Sequence, residues 1–347
     1  MGTKEYIEWI DIAKGIGILL VIAGHTICLK ISSPLYAFHM PLFFLLSGLV
    51  YNNDKYSKAS AFFPTKTKQI LKPWAIMWTI SLLVCLIIPE WKEALSFKEI
   101  IKEFYTTNSN NVQNSSLWYL LCLYVMFILY FFINKIKRST KTLLLFSIIA
   151  IFLPLLKYIE YGIDEYIISM PEKRLPFKLD TALVALVFFC IGSWYKNEIK
   201  NFIEKEKSWI LLFLYIPFIY IIAYLNGWTN LNSYDFGHIF LLFYPIAFLG
   251  IAIVLSWSYK ISNSQLKWIR SILIFYGKNS LIIFGLQSLY IRLYLFFFNK
   301  VTGLDMVLYA NNPWYHQIGS FVVVAFILSP LTVFFFTFLR KKGLNIL

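Results

Sequence analysis

Apolar runs of roughly 17 to 25 residues recur from one end of this chain to the other, broken by short polar segments rich in lysine. The hydrocarbon core of a bilayer offers no water to backbone groups. A run of that length therefore satisfies its N–H and C=O groups only as a helix. A soluble core is excluded by composition: the chain is 59% hydrophobic and 14% charged, against roughly 45–50% and about 25% for soluble domains. The reading is an all-α polytopic membrane protein. Residues 1–347 form one membrane domain, with no separate soluble domain and no convincing internal repeat.

Ten candidate spans follow, at about 10–30, 35–51, 74–90, 117–134, 142–157, 179–195, 209–226, 238–257, 279–298 and 318–339. The second is short and holds Pro41, which predicts a tilt or a kink. Of the 32 Lys and Arg, 21 fall in the termini and the loops on their side, nine fall on the other side, and Lys14 and Arg292 lie inside spans. Loops enriched in Lys and Arg face the cytoplasm, so both termini are predicted to be cytoplasmic. The same bias explains the net charge of +14 without a nucleic-acid partner. The first run reads as a span and not as a cleavable signal. Cys28, Cys85, Cys122 and Cys190 lie in apolar runs without CxxC spacing, the pattern of buried thiols and not of a disulfide framework or a zinc site.

A charge near the bilayer centre costs about 2.5–3.5 kcal/mol on insertion scales, so polar residues inside spans are functional candidates. The run DIAKGIGILLVIAGH, residues 11–25, carries Asp11 and Lys14 three apart on one helix face, where they can pair. Lys14 and His25 are eleven residues apart, about three turns and roughly 16 Å along one stripe. Gly15, Gly17 and Gly24 allow a neighbouring helix or a ligand to come close to that stripe. Imidazole has an ordinary pKa near 6.5, so a neutral histidine here can accept a proton. His39 opens the second span at a similar depth. Lys66, Lys68 and Lys72 stand in FPTKTKQILKPW, read as the loop before the third span, where they anchor that span or cradle an anionic, phosphate-bearing ligand. Trp118 reads as an interfacial anchor and Asp180 and Asn279 as helix N-caps, unless a ligand claims them.

Several of these segments, taken in order, resemble the integral-membrane acyltransferase 3 family, and within it the fucose 4-O-acetylase-like branch. They are a basic residue and a histidine separated by ten residues (Lys14, His25), FHMPLFFLLSG, KTKQILKP, LWYL at 117–120, LPFKLDTALVALVFFCIG at 175–192, NGWTNLNSYDFG at 226–237 and GKNSLIIFGLQSL at 277–289. The resemblance covers nearly the whole chain and ten helices agree with it. It implies transfer of an acyl group, commonly acetyl from acetyl-CoA, to a hydroxyl of a cell-surface or lipid-linked sugar. It makes His25 the general base and gives Lys14 a donor-binding or charge-holding role. It places Lys66, Lys68 and Lys72 on CoA phosphates, and sets Asp11, His39, Trp118, Asp180 and Asn279 in the substrate sites. Acyl-CoA is then a co-substrate, no cofactor or metal is bound, and the location is the cytoplasmic membrane of a bacterium.

Two departures stand out. Lys14 occupies a position where many members carry Arg, and it lacks that residue's bidentate fork. Gln287 stands where a histidine is expected in close relatives, and an amide cannot act as a base. Two other readings fit the same residues. One is a transporter or flippase for a glycan or its lipid carrier. The other is an acyl carrier that feeds a separate transferase. A Cys28 acyl intermediate can also be drawn, one turn beyond His25.

Overall fold

The computed structural model describes residues 8–27, 29–93, 95–98, 100–101, 114–134, 175–205, 209–304 and 313–343. Among these, seven helices are long and apolar enough to cross a membrane: Glu8–Thr26, Ala59–Ile87, Ser115–Ile133, Pro176–Trp194, Phe240–Ser262, Ser280–Thr302 and Trp314–Lys341. Seven of the ten expected spans thus have a counterpart. The expected span at 142–157 and residue Cys28 lie outside the described residues. The expected span at 209–226 is the helix Trp209–Asn226.

The elements that build the core begin with α1 (Glu8–Thr26), α2 (Leu29–Tyr36) and α3 (His39–Leu49). Next come α4 (Ala59–Lys66) and α5 (Lys72–Ile87), joined by a π turn at Thr67–Leu71, and the short α6 (Pro89–Lys92). A 3-10 turn, Ser115–Leu117, leads into α7 (Trp118–Ile133); α8 (Leu179–Trp194), α9 (Lys196–Lys205) and α10 (Trp209–Asn226) follow. Strands β1 (Thr229–Asn230) and β2 (Asp235–Phe236) precede α11 (Phe243–Ser262), α12 (Lys267–Lys278), α13 (Ser280–Thr302), α14 (Trp314–Val322) and α15 (Ser329–Lys341).

The span expected at 35–51 is not one continuous helix. It breaks at Ala37–Phe38 and restarts at His39. Pro41 is the cause: in an unbroken helix its ring would clash with the carbonyl four residues earlier, whereas the first turn of a new helix tolerates it. At 11 residues, α3 is about 16 Å long, too short to cross a core of about 30 Å.

The basic run before the third span also departs from expectation, being helical and not a loop. Pro73 has no N–H to give to the residue a turn below, and the π turn ahead of it absorbs the mismatch. The same device recurs in the last span. A π segment at Val323–Leu328 precedes Pro330, and the Ser329 hydroxyl donates to the Val324 carbonyl at 2.7 Å.

Small residues set which helices touch. α1 packs on α2, α3, α11, α12 and α13. Where it crosses α12, Gly15 faces the Leu273 backbone and Gly277 faces the Asp11 backbone, so a Cβ on either would collide with a carbonyl. Gly48 and Gly192 do the same for α3 and α8. Such contacts suit a membrane interior, where packing and not water exclusion drives helix association.

The one departure from an all-helical chain among the described residues is the hairpin β1–β2, paired Thr229↔Phe236 and Asn230↔Asp235. Gly227 and Gly237 flank it at φ 82° and 81°, a backbone region open mainly to glycine. Asn226 closes it: its amide donates to the Phe236 carbonyl at 3.0 Å and accepts from the Ile239 N–H at 2.9 Å.

Candidate active site

Two cavities lie along the same four helices. The larger, of about 170 Å³, is at the lysine end of α1. Lys14, Leu46, Ser47, Tyr119, Leu281 and Phe284 are among its lining residues. The smaller, of about 40 Å³, is at the histidine end, with His25, Tyr36, His39, Ser116, Asn232 and Phe284 in its wall. α1 and α13 run from the lysine end to the histidine end, and α3 and α7 run back. That is why Lys14 and His25, or Val50 and His39, end up on opposite cavities.

Lys14 sits 3.3 Å from the Asp11 carboxylate, an ion pair within one helix turn. The pair is only partly buried, so its gain is of the order of 1 kcal/mol or less. At the other end, the Tyr36 hydroxyl lies 3.1 Å from the Gly24 carbonyl and 3.1 Å from His25 Nδ1. The hydroxyl has one proton, and a carbonyl can only accept. Both contacts are satisfied together when Tyr36 donates to Gly24 and His25 Nδ1–H donates to Tyr36. That assigns the tautomer and leaves the lone pair on Nε2. Gly24 makes the contact possible, since a Cβ there would press on the Tyr36 ring at 3.3 Å.

His39 is buried and its Nδ1 faces the Leu35 carbonyl at 2.5 Å, so Nδ1 carries the proton there as well. Its ring meets the Tyr36 ring edge-on at 4.9 Å. Arg292 of α13, and His39, lie within electrostatic range of His25. Trp118 joins the wall of the same cavity. The structure therefore gathers His25, His39 and Trp118 at one end and Asp11 and Lys14 at the other.

It separates the three loop lysines. Lys66 is buried, its ammonium 3.8 Å from the centre of the Phe127 ring, 4.6 Å from Tyr56 and 5.2 Å from Tyr51, an arrangement that favours a cation over aromatic faces. Lys68 and Lys72 are exposed. Asp180 is buried in the first turn of α8, where its carboxylate accepts the Thr181 N–H at 2.7 Å. The position expected of it as an N-cap belongs to Lys178, at φ 58°, whose ammonium donates to the Asn232 carbonyl at 3.1 Å. Thr181 reaches the Leu231 carbonyl at 3.3 Å. This corner thus pins the hairpin turn over the histidine-end cavity. Asn279 precedes α13, but its amide donates backwards to the Phe275 carbonyl at 2.8 Å and so closes α12. Gln287 is fully buried, and neither of its amide atoms has a partner among the described residues.

Several wall residues carry no signal that spacing alone could have weighted. Tyr36, Asn230 and Asn232 come together only through the hairpin. Asn114, Ser115 and Ser116 did leave a trace, as a polar triplet abutting the apolar LWYL entry. Asn114 donates to Ser81 at 2.9 Å and to the Gly285 carbonyl at 2.8 Å, accepts from Ser116 at 2.9 Å, and so ties the start of α7 to α5 and α13. Arg292 was visible as a charge inside a span. Among the described residues, no cluster of three His, Cys, Asp or Glu side chains could hold a metal. Cys85, Cys122 and Cys190 are buried thiols.

Residues 7–340 match the family model described as an acyltransferase domain. No curated protein and no solved structure matches the chain.

Proposed function

From its membership of the acyltransferase 3 family, a family of membrane acyl-transfer enzymes, we propose that this chain moves a short acyl group from acyl-CoA to a sugar hydroxyl, with His25 as the base. The donor is acetyl-CoA, entering from the cytoplasm at the lysine end. The acceptor is a cell-surface or lipid-linked glycan that meets the acyl group in the histidine-end cavity. Both termini are cytoplasmic, as the Lys and Arg bias argues, and the location is a bacterial cytoplasmic membrane.

The observation that carries this reading is the Gly24–Tyr36–His25 relay, which turns the basic nitrogen of an intramembrane histidine into a chemically usable one. Nε2 takes the proton of the acceptor hydroxyl as its oxygen attacks the thioester carbonyl. The C–O bond forms, the C–S bond breaks, and the imidazolium returns its proton to the departing thiolate. Arg292, within electrostatic range of His25, supplies positive charge towards the oxyanion that develops on the way. Lys14, on the donor side, holds negative charge on the donor. Lys68 and Lys72, exposed at the mouth of the bundle, reach the CoA phosphates, whereas Lys66 braces the helix that carries them.

The test is transfer of label from acetyl-CoA to surface glycan, in membranes holding wild type or His25→Ala at matched expression. Loss of label with folded protein is expected. Undiminished label in the variant would remove His25 from the mechanism.

A further inference from the structure

Phe43, Tyr119 and Phe284 close a ring of aromatic contacts between the two cavities. Their centroids are 6.2 Å apart for Phe43–Tyr119, 6.4 Å for Phe43–Phe284 and 4.9 Å for Tyr119–Phe284. All three are buried. Phe43 and Tyr119 line only the lysine-end cavity, and Phe284 lines both. Phe284 is therefore the partition that the two spaces share.

The three rings are not equally free to move. Tyr119 carries a hydroxyl in interaction range of Ser47. Ser47 is itself bonded to the Phe43 carbonyl at 2.8 Å. Phe284 has no polar atom to tether it, and its only restraint is packing. A group passing from one cavity to the other displaces the ring that borders both. The space beyond is small: about 40 Å³ at 10–15 Å³ for each water-sized occupant is room for roughly three. A two-carbon acyl group has three heavy atoms.

We propose that Phe284 is the gate between the donor and acceptor cavities, and that it limits transfer to short acyl groups. The inference rests on the acyl-transfer reading above. The thioester end of the donor occupies the lysine-end cavity, and rotation of the Phe284 ring admits the acyl carbonyl towards His25. The acceptor oxygen then replaces sulfur on that carbonyl, and the hydroxyl proton leaves with the thiol through His25. A longer chain still fills the opening when its carbonyl should stand at His25, so it collides with the Phe284 ring and holds the carbonyl out of place.

The experiment compares thiol release from acetyl-, butyryl- and hexanoyl-CoA, with water or endogenous glycan as acceptor. Membranes carry wild type, Phe284→Ala or Phe284→Leu, and His25→Ala serves as the blank. Wild type is expected to favour acetyl-CoA. Phe284→Ala should raise the butyryl-to-acetyl ratio by about tenfold, within the range that one or two methylenes confer in an apolar pocket, and Phe284→Leu should fall between. An unchanged ratio in variants that still use acetyl-CoA would overturn the gate alone. So would loss of acetyl activity in both variants when they fold normally, since a size filter is not required for the small substrate. No thiol release by wild type from any of the three would overturn the transfer reading, and the gate with it.

Discussion

The two ends of α1 face cavities of different character, and under the acyl-transfer reading proposed above each end of the helix serves one substrate. At the lysine end the walls are mostly leucine and aromatic rings, with Lys14 as the one cation among the described lining residues. At the histidine end two imidazoles, two serines and two asparagines crowd a space about a quarter as large. An apolar chamber with a single charge suits the retention of a thioester by contact. A small polar chamber suits the orientation of a hydroxyl for proton transfer, where misplacement by an ångström costs rate. Changes at the histidine end should therefore lower kcat, and changes at the lysine end should raise the KM for the donor.

His25→Ala tests that contrast most severely, with an expected loss of 10²- to 10⁴-fold in turnover read from single-turnover acyl transfer. Gly277→Ala comes next and acts on the scaffold. Its methyl would meet the Asp11 backbone, and overpacking of that kind costs about 1–3 kcal/mol. A lower Tm in detergent should appear while the residual activity keeps its acyl preference. Tyr36→Phe removes the acceptor of the His25 Nδ1 proton. One hydrogen bond of about 1–1.5 kcal/mol corresponds to roughly a tenfold fall in kcat with an unchanged donor KM; a rise in KM would break the division of labour. Lys14→Gln should do the opposite, raising the acyl-CoA KM about fivefold, or about 1 kcal/mol for a partly exposed charge, with kcat little altered.

The smallest effect concerns the hairpin over the polar cavity. Burial pushes the Asp235 carboxyl up from its ordinary value, against the lowering influence of the Gly237 N–H and His238. A carboxyl raised in the folded state is disfavoured as an anion there, so folding loses stability as pH rises from the unfolded value through the folded one. Asp235→Asn should therefore show a slightly higher Tm than wild type at neutral pH. That advantage should vanish below the ordinary carboxylate range, as thermal unfolding at the two pH values would reveal.

Much of the scaffold was readable along the chain. Glu8–Thr26 or Ser280–Thr302 has no stable choice in a bilayer other than a helix, and their limits fell near the expected ones. The interrupted second span was signalled by Pro41, although only as a kink. The π turn before Pro73 was not foreseen, because the lysines around it suggested an aqueous loop. Part of the candidate site was also readable: intramembrane charge drew attention to Lys14 and His25, and motif order drew it to Trp118, all three of which line the two cavities. The roles of Asp180 and Asn279 were not. Each sits beside a helix start, as an N-cap would, yet Asp180 accepts the N–H of its own neighbour and Asn279 turns back to the preceding helix.

The sequence by itself determined that this chain is helical and membrane-embedded, and that its first helix carries a histidine eleven residues beyond a lysine. Those properties follow from local chemistry: apolar length, backbone satisfaction and the 3.6-residue repeat. Only the tertiary structure decided that Lys14 and His25 open on separate cavities, that Tyr36 selects the tautomer of His25, and that Phe284 stands between the two ends. Those depend on helices α1, α3, α7 and α13 and on a hairpin distant in sequence. Glycine pairs and proline breaks set how closely such elements approach, and that closeness is a property of two surfaces together, carried by neither one alone.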